Sequence, residues 1–427
     1  MKTTLFIVCI LLLETFSLSA QSLFFKQYWV EYDGKVNNNH LQGERTRVND
    51  REMSTHPNWY KRFETQVNGL AIVEIPDTII WFERAELFGE MWGGHPKTAN
   101  KRFQINGGEI HTLPSEKTAE GHCEYLFPTV PIDFKELVQG YNALQFNCDR
   151  GESFWGHFLL AEIAINGYLK ADSPELKAKK LEDFKATPKI SSKIIKDETE
   201  IGLDFPTQLA DQIEAVHYFG WYLGYDESGT GNDEQWHGFQ FKRKFTGNIG
   251  TSTQSPFRVN WNTKMIPDQA KPMAIKALIQ FKNGLFCWSE VVDGLSFPLN
   301  RPSIKMYYCS KMPVPFWSRD NQLRVADIEL PNYSQEIETA ELWVKSWDGG
   351  AGNIENPFTI NDLPYKIIAG NAPHDLVFTK NNVKPENLKH GTNEIRLLSD
   401  TEHHGIEICW PGPCLVVRYK QKSIQNQ

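Results

Sequence analysis

The segment Tyr222-Leu223-Gly224-Tyr225-Asp226-Glu227-Ser228-Gly229-Thr230-Gly231-Asn232-Asp233-Glu234-Gln235-Trp236-His237 gathers oxygen donors, glycines, aromatics and an imidazole in one stretch. Asp226, Ser228, Thr230 and Asn232 alternate with residues that allow tight curvature, a pattern that suits a hard cation such as Ca²⁺. An EF-hand loop would place a bidentate Glu at the twelfth position; His237 stands there, so the match is half complete. The plainer alternative is a polar hairpin loop whose side chains cap their own backbone. At its ends, His237 is a possible base beside Trp236, a stacking surface, and Tyr222 is a further candidate for a base.

Two further loops carry chemistry-bearing residues. Asp400-Thr401-Glu402-His403-His404-Gly405 holds a His pair beside carboxylates. Adjacent residues of a strand face opposite ways, so at most one of His403 and His404 would meet a given ligand. Their spacing is not that of a zinc pair. Trp92-Gly93-Gly94-His95 and Trp347-Asp348-Gly349-Gly350 each place a Trp at a glycine turn, and Arg150 adds a cation in the loop equivalent to the His pair. Either Trp could instead be a core residue under its turn. A Gly-x-Ser-x-Gly elbow, a phosphate-cradling glycine loop and a Cys-x-x-Cys pair are all missing, which argues against three common chemistries.

These loops belong to a repeat. Pro76, Ala85-Glu86-Leu87, Trp92, Phe103 and Ile105-Asn106 recur 255 positions later as Pro331, Ala340-Glu341-Leu342, Trp347, Phe358 and Ile360-Asn361. The pairing resumes at 251 with Phe127/Phe378, Leu137/Leu388, Gly140/Gly391, Asn142/Asn393 and Asp149/Asp400. One fold is therefore expected twice. Short period-two segments such as Leu70–Pro76 and Leu415–Tyr419, punctuated by Gly, Asn and Pro, read as strands. The expected class is all-β: two homologous jelly-roll-type β-sandwiches flanking an immunoglobulin-like β-sandwich. The expected boundaries are a signal at 1–20, the first copy at 21–170, a linker at 171–211, the middle module at 212–312 and the second copy at 313–420.

Met1-Lys2 followed by the apolar run Leu5–Leu13 and small residues to Ala20 reads as a cleavable secretory signal. No later stretch is long and apolar enough to span a membrane. The expected location is periplasmic or secreted. Six cysteines remain after residue 20, and the simplest pairing is local: Cys123–Cys148, Cys287–Cys309 and Cys409–Cys414. Free buried thiols are the alternative. A net charge of −8 without a basic stripe argues against nucleic acid. Thirteen Trp, 14 Tyr and 26 Phe suit stacking on sugar rings as well as sandwich cores.

Residues Ser255-Pro256-Phe257-Arg258-Val259-Asn260-Trp261, with Met273–Ile279 and Gly284, resemble bacterial immunoglobulin-like domains found beside carbohydrate-active modules. The make-up as a whole, with Trp236-His237 and Glu402-His403-His404, is similar to exported proteins of marine Bacteroidetes polysaccharide degradation, in particular the oligosaccharide dehydratases of ulvan utilisation. That resemblance implies a lyase eliminating water or a sugar across C4–C5 of a uronic acid. The base would come from Tyr222, His237, His403 or His404, and Trp92, His95, Arg150, Trp236 and Trp347 would contact an acidic oligosaccharide. No cofactor is expected to be required, and the donor order of the 222–237 loop leaves a calcium ion held by Asp226, Ser228 and Asn232 as the option. A non-catalytic carbohydrate-binding protein with two binding modules is the competing expectation. The sequence leaves the oligomeric state open.

Overall fold

The structure is a computed structural model that describes residues 24–31, 45–49, 69–94, 98–114, 121–149, 157–229, 234–332 and 336–421. The expected signal, His95, Arg150, Thr230 and Asn232 lie outside these residues. Among the described residues the chain is all-β; its one α-helix, Pro174–Lys179, is 6 residues long. No helix there is long and apolar enough to cross a membrane.

The two copies match strand for strand. In the first, Leu70–Ile75 pairs Gly140–Asp149, which pairs Ala99–Ile105. In the second, Arg324–Leu330 pairs Gly391–Leu397, which pairs Phe358–Ile360. The facing sheets correspond in the same way: Phe82–Trp92 lies between His157–Leu169 and Thr129–Ile132, and Ile337–Asp348 lies between Cys414–Tyr419 and Asp375–Val383.

A buried Asn pair explains why the repeat keeps its asparagines. Asn106 Nδ2 donates to the Glu136 carbonyl and to Asn142 Oδ1, both at 2.9 Å. Asn361 Nδ2 donates to the Asn387 carbonyl at 3.0 Å and to Asn393 Oδ1 at 2.8 Å. Asn142 and Asn393 are both fully buried and bond the turn that precedes them. Asn106 and Asn361 both sit at φ 51°, a left-handed conformation that Asn tolerates. The copies differ at Gly93, where a Cβ would sit 2.1 Å from a Glu124 carboxylate oxygen. Asp348 takes that position in the second copy and bonds the Gly350 and Gly370 amides, each at 3.0 Å.

The middle module is an immunoglobulin-like sandwich that is fused to the first copy. Phe24–Trp29 pairs His157–Leu169 on one side and Leu285–Trp288 on the other, so one sheet crosses both modules. Their buried apolar residues form a single core. The expected linker is a correction. Thr187–Ile190 pairs Glu198–Asp204, which pairs Val259–Asn262 on its other side, closing the middle sandwich. The Lys-rich reading missed that Ile201 and Leu203 alternate inward while Glu200 and Asp204 face out. Ile304–Lys311, expected in the middle module, instead pairs Cys414–Tyr419 and belongs to the second copy.

None of the six cysteines forms a disulfide, so the three expected bridges are not present. The sheets carry the expected partners to different places. Cys148 packs in the first core, whereas Cys123 meets Cys409 across a parallel bridge between the two copies.

The three modules meet at a hairpin, Phe239–Phe241 and Lys244–Thr246, whose tip is Lys242-Arg243. Phe239 stacks on Phe127 with ring centroids 4.1 Å apart. Arg243 Nε pairs Glu162 at 2.6 Å, and Lys242 Nζ pairs Asp375 of the second copy at 2.5 Å. The Lys242 amide donates to Glu90, whose carboxyl burial raises to about 8, with Glu162 and Asp375 adding to the rise.

Candidate functional site

A cleft of about 700 Å³ opens between the middle module and the second copy. Tyr222, Gly224, Glu227, His237, Trp261, Lys264, Trp343, Phe378 and Lys380 are among its lining residues. Strand Ile213–Leu223 pairs Glu234–His237, with Gly220 opposite His237. That register brings the Tyr222 and His237 rings together, stacked at 3.9 Å with 15° between planes. A Cβ on Gly224 would come within 2.8 Å of both rings, so glycine is needed for the pair to close.

The environment sorts the pair into roles. His237 Nε2 donates to the Tyr222 carbonyl at 2.9 Å, which fixes the tautomer and leaves the Nδ1 lone pair unengaged among the described residues. Burial lowers the imidazole to about 4, so it is neutral at pH 7. Burial also pushes the Tyr222 hydroxyl well above its usual range, with Glu227 adding to the effect. The hydroxyl has no hydrogen-bond partner among the described residues, so it can donate into the cleft.

A carboxylate and a cation stand opposite. Burial raises Glu227 above the usual carboxylate range, against the opposing pull of Lys380. Lys380 Nζ lies 3.5 Å from Glu227 and 4.0 Å from the Trp343 ring centroid. Trp343 Nε1 donates to Glu341 at 2.7 Å. Trp261 and Trp343 are mostly covered, so the aromatic walls now open to the cleft are Tyr222 and Phe378.

Of the expected site residues that the structure describes, Tyr222 and His237 line this cleft and the others do not. Trp236 precedes His237 in the same strand and therefore faces the other side of the sheet, where Lys276 Nζ lies 4.3 Å from its ring. His403 and His404 belong to an exposed loop, not a strand. The His404 ring sits 4.5 Å from His374 and 6.1 Å from Trp347. Trp92 and Trp347 are buried in the contact between the two copies, and Trp92 Nε1 donates to Glu407 at 2.8 Å. Asp226 anchors its own loop: Oδ1 accepts from Ser228 Oγ at 2.9 Å, the Gly229 amide at 2.7 Å and Gln235 Nε2 at 3.1 Å. The described residues hold no group of three or more His, Cys, Asp or Glu placed to share a metal ion.

The sequence reading missed Lys380, Trp343 and Trp261. One signal was available. At equivalent positions the first copy has Phe88 where the second has Trp343 (343 − 88 = 255) and Thr129 where it has Lys380 (380 − 129 = 251). The copies diverge where only the second faces the cleft.

No protein-family model and no curated protein matches the chain. Among solved structures, a β-porphyranase of glycoside hydrolase family 86 from the human gut bacterium Bacteroides plebeius aligns at 12% identity over 53% of this chain and 35% of that one, with a TM-score of 0.23. BuGH86, solved with neoagarooctaose, aligns at 9% identity over 61% of this chain and 36% of that one, with a TM-score of 0.24. This chain thus spans little more than a third of either enzyme. The fibronectin(III)-like modules of Clostridium thermocellum CbhA align at 10% identity over 51% of this chain and 98% of that one, with a TM-score of 0.17. Likeness this distant decides neither activity nor substrate.

Proposed function

We propose that the cleft binds an acidic oligosaccharide and eliminates across C4–C5 of a uronic acid residue. The observation that carries this reading is the Tyr222–His237 pair, one group kept protonated and the other kept neutral, facing a lysine across the cleft. Lys380 leaves Glu227 to meet the substrate carboxylate, which makes the C5 proton more acidic and stabilises the developing enediolate. The raised affinity of Glu227 for a proton lowers the cost of that exchange. As Lys380 moves, the Trp343 face becomes available to a sugar ring. His237 Nδ1 takes the C5 proton, the freed electron pair forms C4=C5, the C4–O bond breaks, and Tyr222 protonates the leaving oxygen. A sugar leaving group makes the enzyme a polysaccharide lyase; a free 4-hydroxyl makes it a dehydratase.

The test is ultraviolet absorbance of the unsaturated product on uronate oligosaccharides, ulvan fragments included, with neutral oligosaccharides as control. His237→Gln and Tyr222→Phe should each lower turnover by about 10²–10⁴ while leaving the fold intact. Binding of acidic oligosaccharides without any chromophore would overturn the lyase reading in favour of a carbohydrate-binding protein. The basic start and apolar run of residues 1–20 fit export to the periplasm or medium, checked by sequencing the mature N-terminus.

A further inference from the structure

The sheet that joins the first and middle modules has a second face, where Trp236 and Trp288 pack over a small buried cluster of Phe25, Tyr168, Phe219, Leu278 and Phe286. Seven neighbouring strands follow one another there, from Glu234–His237 through Met273–Phe281 and Phe24–Trp29 to Phe82–Trp92. Lys276 stands on this face between two indoles, 4.3 Å from the Trp236 ring centroid and 4.0 Å from that of Trp288. All three side chains are half-buried. Lys276 makes no hydrogen bond or salt bridge among the described residues. A little further along, the Arg84 guanidinium lies 3.2 Å over the Tyr168 ring, and its buried Nε has no partner. Glu86 is the acid here; it accepts from Arg84 at 2.7 Å and from the Tyr168 hydroxyl at 3.1 Å. Beyond Phe286 the face runs into a groove of about 520 Å³ walled by Gln27, Trp29, Gln240, Arg243 and Lys244.

We propose that this face, centred on Lys276 between Trp236 and Trp288, is a binding platform for an extended acidic polysaccharide, separate from the cleft. Indole faces stack on the C–H faces of pyranose rings, and a cation between them selects rings that carry a negative charge. A largely desolvated ammonium that feels Glu86 but makes no ion pair with it is costly to keep charged. Burial accordingly lowers Lys276 to about 8, and a bound carboxylate would relieve that cost. Seven strands at about 4.8 Å spacing measure roughly 29 Å across, room for a chain and far more than one sugar needs. The amide and cationic groove extends the same chemistry along the chain path. The platform shares its ligand class with the cleft but takes no part in the elimination, so each can fail alone.

Affinity electrophoresis and calorimetry of the full chain with polygalacturonate, and with a neutral β-glucan as control, test the platform. Trp288→Ala and Lys276→Gln should each weaken polygalacturonate binding about tenfold or more, with the glucan unbound by all forms. Lys276→Arg should keep most of the affinity. Melting curves identify a variant that fails to fold, and Lys276→Gln, which removes no core atom, then decides. Unchanged affinity in Lys276→Gln and Trp288→Ala would overturn the platform, as would equal binding of the neutral glucan. Binding that these variants lose while the parent yields no chromophore would leave the platform standing and the lyase reading refuted.

Discussion

Burial holds His237 neutral, and its titration should be visible in stability as well as in rate. The folded imidazole titrates near 4, below its ordinary 6.5. Between those values the unfolded chain binds the proton and the folded chain does not, so stability falls as pH drops from about 6.5 to about 4. The loss attributable to this one group is on the order of 3 kcal/mol at the acid end. His237→Gln keeps a donor for the Tyr222 carbonyl and removes the titrating ring. The stability of the parent relative to the variant should therefore stay level above pH 6.5 and fall as pH drops toward 4. Parallel curves would show that His237 is not the buried neutral base described here. Tyr222 and His237 were both legible as candidates at the ends of one loop, and the strand pairing stacks their rings. Their neighbours were not. Trp236 was misplaced by an elementary rule, since consecutive strand residues face opposite ways. The Asp226 loop offered donors in a cation-like order, but the serine hydroxyl, glycine amide and glutamine amide hydrogens already occupy Asp226 Oδ1.

The hairpin Phe239–Thr246 shows how an element sets charges that sequence alone cannot weigh. Its tip brings Lys242 and Arg243 onto a face of the first copy that holds Glu90 and Glu162, with Asp375 arriving from the second copy. Burial, with Glu162 and Asp375 nearby, raises Glu90 to about 8 against the opposing pull of the Lys242 amide and ammonium. The sign is opposite to that of His237. The folded chain holds the Glu90 proton up to about pH 8, while the unfolded chain releases it near 4.5. Stability from this group is thus present at acid pH and declines as pH rises through that window, by roughly 3–5 kcal/mol in the limit. Glu90→Gln still accepts the Lys242 amide and carries no charge to bury. It should raise the melting temperature at pH 8 and change it little at pH 4.5; a destabilised variant at pH 8 would contradict the assignment. Strand positions were readable from period-two alternation, and turns from Gly and Asn. The segment 187–204 was misread because surface lysines dominated its composition, although Ile201 and Leu203 already carried the strand pattern.

At the scale of the whole molecule, the repeat fixed the expectation of two like sandwiches, and the contacts between modules were beyond it. A single sheet passes from the first copy into the middle module through Phe24–Trp29. Phe88, Trp92, Tyr125 and Phe127 of the first copy share a buried cluster with Trp347 and Cys409 of the second. Tyr225 of the middle module is buried against the second copy, its hydroxyl donating to the Gly412 carbonyl at 2.8 Å. A repeat register does not report such contacts, because it aligns each copy with the other and says nothing of which positions meet across them. Glu90 and Lys345 are equivalent (345 − 90 = 255), yet one meets a hairpin tip and the other reaches the Tyr125 and Glu227 carbonyls, each at 3.3 Å. Contacts this extensive should make the described modules unfold as one unit. The two asparagine corners provide the means to test that. Asn142→Ala and Asn393→Ala each strip a fully buried side chain from a matched network and leave amide and carbonyl groups unsatisfied. Each should cost about 1–3 kcal/mol. In a cooperative chain, either substitution lowers the same single calorimetric transition by a similar amount, even though the corners lie in different copies. Two transitions, with Asn142→Ala moving one and Asn393→Ala the other, would show that the copies unfold separately and that the shared cluster between them is not a cooperative interface.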